Sequence, residues 1–263
     1  MTNDEGSAAS TDTDAPPRRG QAALRFLRDV VIIIVAAIII SFLIKTFLIR
    51  SFYIPSESME DTLLVNDRII VNQLEPGLFP ISRGDVVVFR DPGGWLGNTT
   101  TDEPFSASSV FEWVLSLVGL AAPDSDEHLI KRVIGLPGDT VTCCDDYGRM
   151  SINGVPIDET TYVRLPDDVV RVSAEDFEVT VPDGRVWVMG DNRYRSADSR
   201  YNMDKPGGGF VPIDNVVGRA IVISWPIDRW TWLDNHPTVF GGITGVEPDS
   251  GDPEPVPTAV ATG

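Results

Sequence analysis

The chain has 263 residues, room for one or two modest domains with a sizeable core. Its 39 acidic residues against 21 basic ones give a formal charge of −18, which argues against nucleic acid as the main partner and against a folded domain held flat on anionic lipid by a basic face. Twenty-three Gly and 20 Pro point to a turn-rich, mostly β body rather than a helical bundle.

Residues 1–29 read as a cytoplasmic tail. The first part is Asp, Ser, Thr, Ala and Pro with almost nothing to bury, which predicts disorder, and Arg18, Arg19, Arg25 and Arg28 follow as a basic stop. Residues 30–49 carry one charge, Lys45, and as a helix span about 30 Å, the thickness of a bilayer core. Lys45 lies close enough to the far end to snorkel to the interface. Ile32-Ile33-Ile34-Val35 and Ile38-Ile39-Ile40 leave no polar face for an amphipathic core helix. No small-x-small cleavage site with a polar start follows, so the pattern predicts a permanent single-pass transmembrane signal-anchor. Arginines on its N-terminal side place that end in the cytoplasm and residues 50–244 outside the cell membrane.

From Ser51 the chain reads as short strands with turn punctuation, at residues 68–72, 85–89, 128–134, 140–142, 150–152, 185–189 and 220–225. Asn153-Gly154 is a hairpin signal. Residues 91–127 stand apart as an insertion: a polar start, then an apolar stretch over 110–122 that is too short to cross a membrane. That stretch is expected to pack on the β body or to lie at the bilayer interface. Residues 245–263 are again acidic and Pro-rich, the composition of a disordered tail. Cys143 and Cys144 are adjacent, so they imply neither a disulfide framework nor a zinc site, and their redox state stays open.

A serine nucleophile needs a base. His236 sits in a Trp- and Pro-rich stretch and His128 at a strand start, and both read as structural. Lysine is the other option, if a low-dielectric site keeps it neutral; lowering its pKa from about 10.4 to near 8 corresponds to about 3 kcal/mol, which burial can supply. Lys131 shares a strand face with Leu129 and Val133 while Arg132 points the other way, although an ordinary solvated Lys-Arg pair reads the same. Ser56 and Ser58 follow Pro55, where serines are normally turn or cap residues. Residues 190–200 pack Arg, Asp, Ser and Asn behind an apolar strand, which suits a surface loop or a scaffold for a site.

Taken together, these segments resemble bacterial type I signal peptidases, the Ser/Lys-dyad leader peptidases of the S26 family, from the anchor to about Trp230. Pro55-Ser56-Glu57-Ser58-Met59 resembles the nucleophile box and Arg83-Gly84-Asp85-Val86-Val87-Val88-Phe89 the strand after it. Lys131 to Asp139 resembles the lysine box, and Gly190-Asp191-Asn192-Arg193 with Ser196-Ala197-Asp198-Ser199-Arg200 the last box. The boxes stand in family order. Glu57 replaces a glycine found in many relatives.

The resemblance implies an antiparallel β-sheet catalytic body, signal peptidase/LexA-like, behind one transmembrane helix. It implies Ser58 as nucleophile, Lys131 as general base, and Ser56 with the Ser58 N–H as oxyanion donors. Ser196 would hydrogen-bond the Lys131 amine, and Asp198 and Arg200 would form a supporting ion pair. Phe52, Ile54, Leu63 and Ile130 flank the dyad as expected pocket walls for small side chains. The implied substrates are secreted preproteins cut at Ala-x-Ala-type sites beside the lipid bilayer, with neither metal nor organic cofactor. A sortase-type transpeptidase using Cys143 or Cys144 is the rival enzyme, and an anchored binding domain using the 190–200 loop is the rival without chemistry.

Overall fold

The structure, a computed structural model, describes residues 19–97 and 128–243. Both expected tails beyond these limits, and the apolar stretch of the 91–127 insertion, lie outside the described residues. The chain divides into two compact units, residues 1–44 and 45–263.

The first unit is the body of one helix, α1 (Arg19–Phe47). It starts earlier than the apolar run and ends before Ile49, because Ile49 already pairs with Asn72 in a sheet. Val31, Ile33, Ile34, Ile38, Ile39 and Phe42 are exposed. Among the described residues no helix is long and apolar enough to cross a membrane. The apolar side chains described without interruption occupy residues 30–42, about 20 Å of helix, with Arg25, Arg28 and Asp29 before them. The side chain of Lys45, expected to snorkel, lies outside the described set.

The second unit is built of strands. In chain order they are β1 (Ile49–Tyr53), β2 (Arg68–Asn72), β3 (Val86–Arg90), β4 (His128–Gly135), β5 (Thr140–Cys143), β6 (Met150–Ile152), β7 (Val155–Pro156), β8 (Phe177–Thr180), β9 (Arg185–Met189), β10 (Val211–Pro212), β11 (Val216–Trp225) and β12 (Thr231–Trp232). The larger sheet has the order β1-β2-β11-β3-β4-β9-β10, with β12 paired to β11. The smaller has the order β7-β6-β5-β8. The strand pairs are antiparallel. The described body is therefore mostly β, as the composition predicts.

Strand period explains the cores. Along β3, Val86 and Val88 join Phe52, Met59, Leu63 and Ile69 on one face, while Val87 and Phe89 join Val133 and Val188 on the other. A third cluster, including Ile134, Val141, Ile152 and Trp187, fills the space between the two sheets. Asn153 and Gly154 both adopt positive φ, 54° and 77°, and join β6 to β7 as their sequence demands. β11 begins four residues earlier than its apolar pattern, at Val216, because Gly218 does not break the strand. A Cβ at 218 would lie 2.3 Å from the Asn72 carbonyl oxygen, so the glycine permits β2 to approach.

Gly84 is the second glycine with a structural duty. Its φ is +85°, its N–H donates to the Val133 carbonyl at 2.7 Å, and its carbonyl accepts from Arg132 Nη1 at 2.6 Å. An added Cβ would fall 1.8 Å from the Asn235 carbonyl oxygen. Gly84→Ala is expected to lose about 2–4 kcal/mol in urea unfolding, from left-handed backbone and overpacking together. A loss below about 0.5 kcal/mol would contradict that account.

Candidate active site

β1 runs through Ile54-Pro55 into a single 3-10 turn, η1 (Glu57–Met59), in which Ser58 and Met59 are buried and Ser56 is exposed. β4 is the central partner: Val87 lies opposite Lys131, and Val86 and Met189 flank Arg132. Both members of this Lys-Arg pair are buried, so the solvated reading does not hold: Lys131 is 4% exposed and Arg132 0%.

Lys131 Nζ lies 2.8 Å from Ser58 Oγ and donates to the Ile130 carbonyl at 2.9 Å. Ser56 Oγ lies 3.3 Å from Ser58 Oγ. Burial lowers the Lys131 pKa from 10.5 to about 8, and the charges of Asp198 and Asp191 oppose the shift without cancelling it.

Neither carboxylate is available to claim the lysine. Arg200 grips Asp198 through Nε at 2.9 Å and Nη2 at 2.8 Å. Arg132 grips Asp191 at 2.9 Å and 2.7 Å, and Thr62 Oγ1 adds a donor to Asp191 at 2.5 Å. A third buried pair, Arg193–Glu159 at 2.7 Å, braces the same loop. Such pairs are poor evidence of net stability, but removing one partner leaves a buried charge, so each fixes geometry strongly.

The loop over residues 190–200 is thus a scaffold. The Gly190 N–H donates to Asp198 at 3.0 Å, and Arg200 Nη2 donates to the Arg193 carbonyl at 2.7 Å. The Asn192 N–H donates to the Ser58 carbonyl at 3.1 Å, tying this loop to the turn that carries Ser58. A Cβ at Gly190 would lie 2.3 Å from Ser196 Oγ and 2.4 Å from the Ser58 carbonyl, so only glycine allows these two groups to converge. Ser196 Oγ itself is buried with no hydrogen-bond partner. The bond from Ser196 to the Lys131 amine, expected from the resemblance, is not formed, because Nζ is directed to Ser58 and Ile130.

The expected pocket walls need correction. Phe52, Ile54 and Leu63 are core residues, at most 2% exposed, so they form a floor beneath Ser58 and Lys131 rather than a wetted wall. Ile130 is half-buried and keeps some accessible surface. His128 lies against Phe52, and His236 stacks on Tyr162 at 4.7 Å. Cys143 and Cys144 are bonded to each other, which leaves the rival cysteine mechanism no thiol. Among the described residues no group of three His, Cys, Asp or Glu side chains is placed to hold a metal ion.

Asp191, Arg132, Thr62 and Glu159 had no assigned role in the sequence. Arg132 and Asp191 lie inside the quoted boxes, and opposite charge was the signal for pairing them. Glu159 sits in an irregular segment with no periodic signal, and only the fold brings it to Arg193.

Comparison with known proteins shows the family of the chain. The family model described as signal peptidase, peptidase S26, matches residues 27–225. The chain is 38% identical over 244 residues to a signal peptidase I of Mycobacterium tuberculosis (strain H37Rv), covering 86% of this chain and 80% of that one. It is 37% identical over 185 residues to a signal peptidase I of Leptolyngbya laminosa, covering 70% and 73%. A crystal structure of a signal peptidase I from Enterococcus faecalis V583 matches at 27% identity over 53% of this chain and 95% of that chain, with a TM-score of 0.33. With the family model spanning most of its length, the chain belongs to the peptidase S26 signal peptidases, serine peptidases that hydrolyse signal peptides from their precursors.

Proposed function

We propose that the chain is a membrane-anchored serine endopeptidase in which Ser58 is the nucleophile and neutral Lys131 its general base. The observation that carries this reading is the 2.8 Å contact between Lys131 Nζ and Ser58 Oγ in a site that lowers the lysine to about 8. When Lys131 is neutral, the Ser58 hydroxyl donates along that same contact to the amine lone pair.

Lys131 takes the Ser58 proton as the Oγ–carbon bond forms. The Ser56 hydroxyl and the Ser58 N–H hold the oxyanion, each donor contributing about 3 kcal/mol. Collapse breaks the peptide bond; Lys131 gives its proton to the departing amine of the mature chain. Water, activated by Lys131, then releases the signal peptide as a carboxylate and restores Ser58. Ser196, buried and unpartnered, accepts a remaining amine N–H after a side-chain rotation. Asp198 and Arg200 hold the loop that carries it.

The signal side of the substrate lies extended beside β1 and β4, with small residues of the Ala-x-Ala type over Ile130 and the floor of Phe52, Ile54 and Leu63. Residues 30–49 serve as the anchor, with the N-terminus in the cytoplasm. The exposed apolar surface of α1 supports a lipid environment, and the distribution of arginines supports the orientation.

Ser58→Ala is expected to reduce kcat/KM on a preprotein by about a thousandfold or more while the protein stays folded. Near-normal cleavage by that variant would sink the assignment. Activity should follow deprotonation of Lys131. Kcat/KM is expected to rise about tenfold per pH unit below about 8 and level off above it. A limb centred near 6.5 would instead point to histidine.

The same shift has a stability consequence. The folded Lys131 binds its proton less tightly than the unfolded 10.5, so below about 8 the protein carries the full cost of a buried ammonium, about 3 kcal/mol. That cost fades as pH rises from about 8 towards 10.5. Lys131→Met is therefore expected to unfold at a higher temperature than wild type at pH 7, and the gap should close by about pH 10. A gap independent of pH would show that burial does not govern this lysine.

A further inference from the structure

Beside the nucleophile turn lies a polar groove of about 510 Å³ that the mechanism above leaves unused. Its walls include Glu57 and Glu60 from the turn, Arg164 and Asp167 from the segment after Tyr162, and Asn192 and Arg195 from the 190–200 loop. Glu57 and Glu60 bracket Ser58 in sequence, and the N–H of Asn192 holds the Ser58 carbonyl, so the groove lies beside the turn that carries Ser58. No residue of β1 or β4 lines it. An extended peptide that crosses Ser58 with one half beside β1 and β4 therefore has its other half here.

Chemistry decides which half. The signal side is apolar and small at the cleavage site, and laying it over charged walls would desolvate them without replacing their hydrogen bonds. The mature side is polar and ends, after cleavage, in a new ammonium. The cations on the walls are already engaged: Arg195 pairs with Glu57, and Arg164 pairs with Asp61 at 2.7 Å. Glu60 accepts from the Asn192 amide at 3.3 Å and feels the charge of Arg195 without an ion pair of its own, and among the described residues Asp167 has no salt-bridge partner. The groove thus keeps an excess of negative charge.

Resting on the Ser58 protease reading, we propose that this groove is the subsite for the first residues of the mature chain, and that Glu60 and Asp167 make it select basic over acidic residues there. Glu57 closes the rim through Arg195, so the acidic excess is carried by the other two.

The test uses the full chain in detergent micelles and preproteins that differ only at the second to fourth mature residues: Lys, Ser or Glu. Wild type is expected to favour Lys over Glu in kcat/KM by roughly two- to fivefold per charge, the range exposed charge pairs span, and less in about 0.5 M salt. The Glu60→Gln/Asp167→Asn variant should bring the ratio close to one, and Glu60→Lys/Asp167→Lys should reverse it. Asp167→Asn alone, at an exposed position, should lower the ratio even if the doubles fail to fold. A wild-type ratio retained in variants that still cut would overturn the inference. Failure of wild type to cut any of the three preproteins would instead defeat the protease reading on which it rests.

Discussion

Arg132 is fully buried and keeps its charge, and that single fact draws distant segments of the chain together. Its guanidinium donates two bonds to Asp191 in the last box, one to the Gly84 carbonyl at the head of β3, and one to the Asp234 carbonyl at 3.1 Å near the C-terminus. Its face lies 4.4 Å from the centre of the Tyr162 ring. A planar fork with five donors can satisfy partners in several directions at once, which an ammonium cannot. Because an unpaired buried charge is so costly, each of those segments is held in place by the need to serve it.

The consequence reaches the neighbouring residue. Lys131 and Arg132 are adjacent in an extended strand, so they project to opposite sides, and the fold treats them oppositely. The arginine receives the Asp191 carboxylate and two backbone carbonyls; the lysine receives a hydroxyl and a carbonyl. The acids nearest Lys131 are each gripped by an arginine, which blunts their attraction for an ammonium. Burial then dominates, and the amine approaches neutrality near pH 8.

Glycine serves the same end by allowing close approach. Gly84 lets the backbone at Asn235 meet the start of β3, and Gly190 lets the Ser58 carbonyl and the Ser196 hydroxyl share one small space. The turn that carries Ser58 is tied twice to the 190–200 loop, by the Asn192 N–H to the Ser58 carbonyl and by the exposed Glu57–Arg195 pair. That second tie exists because this chain has a side chain at position 57.

Much of this was legible before any coordinates. Turn-rich composition and two-residue periodicity specify a β body, since side-chain alternation is a local property; β2, β6 and β9 appear at the residues where their patterns place them. Ordered boxes around Ser58, Lys131 and Ser196 pointed to the family. The short strands β8, β10 and β12 were not read from the sequence, because they form only where a neighbour offers hydrogen bonds. Nor could sequence tell that Phe52, Ile54 and Leu63 lie under the site rather than around it, since an apolar side chain reads alike in a floor and in a wall. Sequence by itself determined which residue types were available for chemistry and in what order they occur. The Asp198–Arg200 pair, two residues apart, was expected; only the tertiary structure decided that Asp191 belongs to Arg132 and Glu159 to Arg193, because long-range charge pairing depends on where the chain folds back. That partition of charge leaves Lys131 with Ser58.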